Sequence, residues 1–465
     1  MTRVGKVAFA DNGILAIYNE NIPRVRPVVV TMNRSPWILS IIILASCLST
    51  IMAEPPKLAT VLDDENGLGS EFWVYNDIQV AMKEARQQNK PLFVTFRCVP
   101  CEDCRAFDAE VAKESDIIRE LAVKHFIPVR QVEMKGVDLS LFQFDYDLNW
   151  AAMFINADGV VYARYGTQSA AGADAYNSVK GLRQTMLRVL ELHKGYPGNQ
   201  AELRDKRGPR LPYKTALEMP GLENKQRFVG ETTRKNCIHC HNIHDAQNNQ
   251  YSKAGNLLSK KIWRYPLPEN IGLVVDGNDG RRIKKVLAGT SAAASGLATG
   301  ESITHVNGQA ITSIADIQWV LHQLPYDTRS VQVTGSQAGV KTLVLGTGWK
   351  KTDISWRGSI WSVSPRLRVW TPQATAAEIK KLGLDGETSA LKVKWINRNS
   401  PGGRSAYESG LREGDFVVRL DGKAIEMTPA QFNVHLKLNY KVGERLPLTV
   451  VRGDRQLKLE LKLVE

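Results

Sequence analysis

The run Lys90-Pro91-Leu92-Phe93-Val94-Thr95-Phe96-Arg97-Cys98-Val99-Pro100-Cys101-Glu102-Asp103-Cys104-Arg105-Ala106-Phe107-Asp108 decides the reading of the N-terminal half. Lys90-Pro91 opens a strand over Leu92-Phe93-Val94-Thr95-Phe96, a short apolar run. Cysteines follow at once, and then a helical pattern through Phe107 and Val111. Two C-x-x-C spacings overlap and share Cys101. Where a strand passes into a helix, the helix N-terminus favours the thiolate of the first cysteine, which is then the nucleophile. A cysteine three residues on lies on the same helix face and resolves the mixed disulfide.

The flanking sequence supplies the rest of an α/β unit. Residues 76–89 predict a helix, capped by Asn76 or Asp77, with Ile78, Ala81, Met82 and Ala85 on one stripe. Residues 126–132 predict a second strand. Residues 152–155 and 160–164 flank Asn156-Ala157-Asp158-Gly159, a hairpin-turn signal. Ser178 caps a further helix to His193, with Gly195 as its stop. The order is helix, strand, helix, strand, hairpin, helix.

Over roughly residues 70–195 this resembles the thioredoxin superfamily, whose relevant variants read Lys-Pro, strand, C-x-x-C, a basic residue and then an acidic one. The resemblance implies a redox pair at Cys101 and Cys104, followed by Arg105 and Asp108, with Cys98 an extra thiol one turn earlier. A rival register pairs Cys98 with Cys101 around Pro100. Three departures stand out. Pro100 replaces the usual tryptophan, Thr95 occupies the place of a buried carboxylate, and Trp150 falls where a cis-proline normally faces the disulfide. Active thiol chemistry, a structural disulfide in a degenerate fold, and a metal on the three thiols all remain open.

Residues 196–262 are rich in Pro, Gly, Arg and Lys and predict a poorly packed basic connector. Inside it, Cys237-Ile238-His239-Cys240-His241 matches C-x-x-C-H, the attachment signal of a covalent c-type haem, with Cys237 and Cys240 as thioether sites and His241 as axial ligand. A Cys237–Cys240 disulfide or redox relay is the second reading. A metal site using Cys237, Cys240 and His244 is the third.

From Trp263 onward the pattern changes to short strands and repeats itself. Gly289-Thr290-Ser291-Ala292-Ala293, Ser295-Gly296-Leu297, Gly300-Glu301-Ser302-Ile303 and Val306-Asn307-Gly308 are matched by Ser405-Ala406, Ser409-Gly410-Leu411, Gly414-Asp415-Phe416-Val417 and Leu420-Asp421-Gly422. Over roughly residues 265–348 and 355–465 this half resembles the PDZ domains of bacterial envelope proteases. The resemblance implies a loop of backbone N–H groups that captures a peptide carboxylate, and a strand edge that accepts the peptide. Ile271-Gly272-Leu273 sits where the first such loop belongs, and Gly358-Ser359-Ile360 is the candidate for the second. Structural or dimerising modules without a peptide are the alternative. No Gly-x-Ser-x-Gly accompanies them, so partner binding rather than proteolysis is expected.

The expected architecture is therefore multi-domain, α/β plus mostly β: a thioredoxin-like fold over 54–195, the basic connector over 196–262, and two PDZ-like domains over 263–348 and 354–465. Residues 1–53 are a leader. Arg34 precedes the apolar Ile38–Cys47 stretch, and Met32 is an alternative translation start. Cleavage after Ala53, lipidation at Cys47 and an uncleaved anchor all place the rest outside the cytoplasm, in the periplasm or envelope, where membrane association would come through the leader or a lipidated Cys47. The net charge of +13 has no nucleic-acid motif beside it and reads as a solvated basic face.

Taken whole, the order resembles a family of thioredoxin-like/PDZ domain-containing (seleno)proteins of planctomycete-type bacteria. The matching stretches are FRCVPCEDCRAFD (Phe96–Asp108), NADGVVYARYG (Asn156–Gly166), CIHCH (Cys237–His241), YPLPENIGL (Tyr265–Leu273), GWKKTDISWR (Gly348–Arg357) and LNYKVGER (Leu438–Arg445). Two functions follow. One is an extracytoplasmic thiol-disulfide oxidoreductase whose PDZ domains recruit the C-termini of protein partners. The other is a non-catalytic envelope scaffold with a degenerate thioredoxin fold, carrying a haem or none.

Overall fold

The computed structural model describes residues 57–68, 71–99, 105–254, 258–383 and 389–465. Residues 1–53, with Met32, Ala53 and Cys47, and the pair Cys101 and Cys104 lie outside the described residues. Among the described residues no helix is long and apolar enough to cross a membrane.

The N-terminal sheet runs β1 (Val74–Tyr75), β3 (Ile127–Gln131), β2 (Leu92–Arg97), β4 (Trp150–Ile155), β5 (Val161–Tyr165) in spatial order. β1, β3 and β2 are parallel, while β4 and β5 are antiparallel additions. β2 is buried at every position because both faces of this central strand are covered. Leu92, Val94 and Phe96 point into one core and Phe93 into the other, the alternation of a pleated strand. Helix α1 (Ile78–Gln88) starts where Asp77 accepts from the Val80 N–H at 3.0 Å, and ends at Asn89 in the left-handed region. Helix α2 (Asp116–His125) is capped by Ser115, and helix α3 (Val179–Gly195) by Ser178. In the hairpin, Asn156 Oδ1 accepts from the N–H groups of Asp158 and Val160, both at 2.9 Å. This is a thioredoxin-like arrangement of sheet and helices.

The connector is not poorly packed. Tyr213, Ala216, Met219, Leu222, Phe228, Ile238 and Cys240, with Ile243 and Ala246 of helix α4 (Cys240–Lys253), complete the core on the Phe96 face of the sheet. Its apolar residues are too scattered to show a period, yet burying them against a ready-made sheet face stabilises the segment without regular structure.

Beyond it, β6 (Leu273–Val275) pairs with β7 (Ile283–Val286), and a four-stranded antiparallel sheet runs β11 (Gly339–Val344), β10 (Ser330–Gly335), β8 (Ile303–Val306), β9 (Gln309–Ala310). Helix α5 (Ile314–Gln323) closes this unit. The C-terminal region repeats the element order with a helix (Ala376–Lys381) and one strand inserted. β12 (Val369–Trp370) pairs with β14 (Trp395–Ile396), and a second sheet holds β13 (Leu391–Lys392), β15 (Phe416–Leu420), β16 (Lys423–Ala424), β17 (Arg445–Arg452) and β18 (Arg455–Lys462). Helices α6 (Pro401–Glu408) and α7 (Pro429–Asn439) flank it. The repeat is conformational as well. Asn307-Gly308 and Asp421-Gly422 both take positive φ at two successive residues, the turn that suits the twist of a tight hairpin.

Candidate functional site

β2 delivers Arg97 and Cys98 to one end of the sheet. The Arg97 guanidinium, 4% exposed, pairs with Asp108 and donates to the Val99 carbonyl at 2.8 Å. Asp108 also accepts from Arg130 at 2.7 and 3.0 Å, from Asn66 at 2.7 Å and from the Trp150 indole at 3.2 Å. Asp64 takes the other side of Arg130, at 3.0 and 3.2 Å. Burial opposes ionisation of both acids, but Arg130 and Arg97 outweigh it and hold the two carboxyls below their usual range. Two arginines and two aspartates thus form a balanced buried cluster. Trp150, the residue that the sequence reading sets at the cis-proline place, has its indole tied into this cluster. Thr95, in place of a buried acid, donates to the Val129 carbonyl at 3.2 Å.

Cys98 is half-buried, and its Sγ lies 3.0 Å from Nδ1 of His239. His239 is the second of the two residues between the cysteines of the C-x-x-C-H segment, at the start of α4. The end of β3 holds that segment in place. Glu133 Oε1 accepts from the Ile238 N–H at 3.1 Å, the Ile238 carbonyl accepts from the Met134 N–H at 3.1 Å, and Cys237 Sγ lies 3.7 Å from the Val132 carbonyl. Burial, then the neighbouring His241 and Arg227, push the His239 pKa down to about 4, so its imidazole is neutral at pH 7. Burial, Glu133 and Cys98 push the Cys237 thiol up to about 12, and burial with Cys98 and Cys237 raises Cys240 as well. Three thiols and a neutral imidazole therefore share one end of the sheet. Sequence reasoning singled out the three cysteines but passed over His239 and Glu133, because nothing local marks either residue.

The segment does not suit a haem. Cys237 and Cys240 are 6% and 7% exposed, and Cys240 packs in the apolar core with Ile238 and Ile243. The His241 ring stacks on His239, with centroids 5.6 Å apart, and faces Gly358, whose added Cβ would lie 3.5 Å from its Cγ. Thioether bonds need both sulfurs on a macrocycle-sized cleft, and here both are enclosed by protein. Among the described residues His244 is not clustered with those cysteines at ligating distance, and its Nδ1 lies 2.9 Å from Asp147. Among the described residues the donor set spaced for an ion is Asp145, Asp147 and His244. The Arg357 guanidinium already holds both of those carboxylates, at 2.7, 2.8 and 3.1 Å, and supplies the positive charge itself.

That network corrects the second carboxylate loop. Gly358-Ser359-Ile360 does not line a groove. Ser359 donates through its N–H and hydroxyl to Asp147 at 2.8 and 2.9 Å, and Ser359 and Ile360 are buried against α4. A shared backbone feature lies elsewhere. Gly272 (φ +87°) directly precedes β6, and Arg368 (φ +54°) directly precedes β12.

The two grooves differ. In the first, Gly272 is required, since a Cβ there would lie 2.4 Å from Thr290 Oγ1. Ile271 and Leu273 are core residues. The thioredoxin-like unit touches both walls. Arg164 N–H donates to Asp316 at 3.1 Å and the Thr167 hydroxyl to Gln318 at 2.7 Å on α5. On the opposite wall the Tyr176 hydroxyl donates to Glu269 at 3.1 Å. The second groove is open. A cavity of ≈ 280 Å³ between β12 and α7 is lined by Arg366, Arg368, Trp370, Trp395, Phe432 and Lys437, among others. Trp361, Trp370 and Trp395 are 57%, 53% and 52% exposed there, an unusual amount of bare aromatic surface.

Fold and site together define a thioredoxin-like domain followed by a PDZ domain, joined by a cysteine-bearing segment. Residues 73–157 match the family model described as thioredoxin-like, and residues 262–324 match that of the PDZ domain. The chain is similar to a "Probable periplasmic serine endoprotease DegP-like" of Marinomonas sp. (strain MWYL1), 23% identical over 199 residues, or 43% of this chain. It spans only 40% of that curated relative. Among solved structures, the HtrA3 PDZ domain bound to a phage-derived ligand (FGRWV) aligns at 19% identity and TM-score 0.17, over 22% of this chain and 86% of that one. The HtrA-type protease AlgW with decapeptide aligns at 18% identity and TM-score 0.20, over 34% and 45%.

Proposed function

We propose that this chain is an extracytoplasmic thiol-disulfide protein that holds a partner's C-terminus in its C-terminal groove while exchanging that partner's disulfides. The C-terminal region is read as a second PDZ-type module. In the exchange, the Cys101 thiolate attacks a client disulfide and releases one client thiol. Cys104 then attacks Cys101 Sγ, freeing the second client thiol and leaving a Cys101–Cys104 disulfide. A thiol reductant must reset the pair. The observation that carries the reading is Cys98 Sγ beside His239 Nδ1 at the end of a thioredoxin-like central strand, with Arg97 of that strand paired to the buried Asp108. Arg366 and Arg368 supply charge suited to a peptide carboxylate, and the bare tryptophans supply an apolar seat for its last side chains.

The test is turnover of a disulfide-bonded peptide with a thiol reductant, comparing the full chain with Cys101→Ser. Loss of turnover in the variant supports the reading, and undiminished turnover overturns it. A second reading, a non-catalytic envelope scaffold, is favoured by Thr95 and by Trp150 at the cis-proline place. It predicts no turnover in either protein while a C-terminal peptide still binds.

A further inference from the structure

We infer that Cys98, Cys237 and Cys240 form a second thiol-exchange centre, in which a disulfide captured at Cys98 is passed into the C-x-x-C pair of the connector. Four observations place the parts together. Cys98 Sγ is hydrogen-bonded to His239, which sits between the two connector cysteines in sequence. Glu133 and Met134 pin the Ile238 backbone to the end of β3, the strand beside β2, so the segment cannot drift from Cys98. Cys240 shares its core with Phe96, two residues before Cys98. Finally, Cys240 is the first residue of α4 and Cys237 lies three residues before it, the C-x-x-C spacing that can close into a disulfide.

The sequence of bonds balances. A substrate disulfide R–S–S–R′ is attacked by the Cys98 thiolate, giving Cys98–S–S–R and R′–S⁻. The proton leaving Cys98 has a neutral imidazole acceptor in His239 Nδ1. One connector cysteine attacks Cys98 Sγ and releases R–S⁻. The other connector cysteine then attacks that cysteine's sulfur, regenerating Cys98 and closing the Cys237–Cys240 disulfide. Two electrons pass from the connector dithiol to the substrate, and the two thiol protons end on R–SH and R′–SH. Buried and neutral at rest, the connector thiols are shielded from solution oxidants, while Cys98 is half-exposed. The order of exchange is therefore set by access.

The test uses the full chain carrying Cys101→Ser and Cys104→Ser, with oxidised glutathione as the substrate disulfide and mass mapping of non-reduced peptides over time. Expected are glutathione on Cys98 first, then a Cys237–Cys240 disulfide with Cys98 returned to the thiol. Of Cys237→Ser and Cys240→Ser, added singly, the one that removes the resolving cysteine traps Cys98 joined to the remaining connector cysteine, and the other leaves glutathione on Cys98. His239→Asn slows the first step at least tenfold with the circular dichroism unchanged. Glutathione that stays on Cys98 while Cys237 and Cys240 remain thiols overturns the proposal, and so does direct labelling of the connector in a Cys98→Ser chain at the parent rate. Because Cys101 and Cys104 are absent from this chain, its outcome is independent of the turnover test above.

Discussion

Asp316 Oδ2 lies 2.7 Å from Lys206 Nζ, with both side chains wholly buried. Asp316 belongs to α5 of the PDZ domain and Lys206 to the connector, so the first groove's own helix is fastened to the thioredoxin-like half. Asp316 also accepts from the Thr312 N–H and from the Arg164 backbone.

Removing one partner of this pair leaves a buried charge without compensation. Asp316→Ala is expected to destabilise the protein by about 3–5 kcal/mol, whereas Lys206→Met with Asp316→Asn, which keeps an acceptor for the Thr312 and Arg164 N–H groups, is expected to recover most of that loss. Denaturant unfolding of the single and double variants checks this, with the double variant no worse than either single one.

Peptide binding should show one site per chain. The first groove is covered on both walls, and the second is open. Arg368→Gly keeps the left-handed backbone and removes the guanidinium, so stability should hold or rise by about 0.5 kcal/mol while affinity for a peptide with a free carboxylate falls by about tenfold. Titration calorimetry with free and amidated C-terminal peptides reads both. A stoichiometry of two, or equal affinity for the amide, contradicts it.

Glu133 accepts from the Ile238 and Lys135 N–H groups and from the Thr232 hydroxyl. Glu133→Ala leaves the Ile238 N–H buried and unpaired, at about 1–3 kcal/mol, and loosens the C-x-x-C-H segment. Alkylation of Cys237 by iodoacetamide should then speed up at least tenfold, while Cys98 alkylation changes less. Quantitative mass mapping of the two sites decides.

Acid should weaken the fold through Asp64 and Asp108. Their folded pKa values lie below the unfolded value of about 3.9. The folded state therefore binds fewer protons than the unfolded one as pH falls through that region. The stabilisation is present in full above the unfolded pKa and is lost as pH drops below about 4 toward the folded values. Asp108→Asn should destabilise strongly at pH 7, because Arg97 and Arg130 lose their shared carboxylate. Its deficit relative to the parent should shrink on acidification. Urea midpoints at pH 7, 5 and 3 measure the slope, and a deficit that is constant with pH contradicts the assignment.

Sequence alone determined whatever is written in neighbouring residues. The β2 run, the Asn156–Gly159 turn, the Ser178 cap and the paired Asn-Gly and Asp-Gly turns depend on local backbone preferences, and they are legible for that reason. So was the doubling of the C-terminal half, since equal spacing needs no partner. Tertiary structure decided the rest. A glycine was sought for the second carboxylate loop, and Gly358 was available. In the structure it is Arg368 that stands in the left-handed region just before β12, a conformation that no local signal announces. The connector looked unpacked because its apolar residues meet a sheet made elsewhere in the chain. His239 reaches Cys98 across 141 positions. Such a pairing carries no sequence signature, since it depends on where two strand ends and a helix start come to rest against one another.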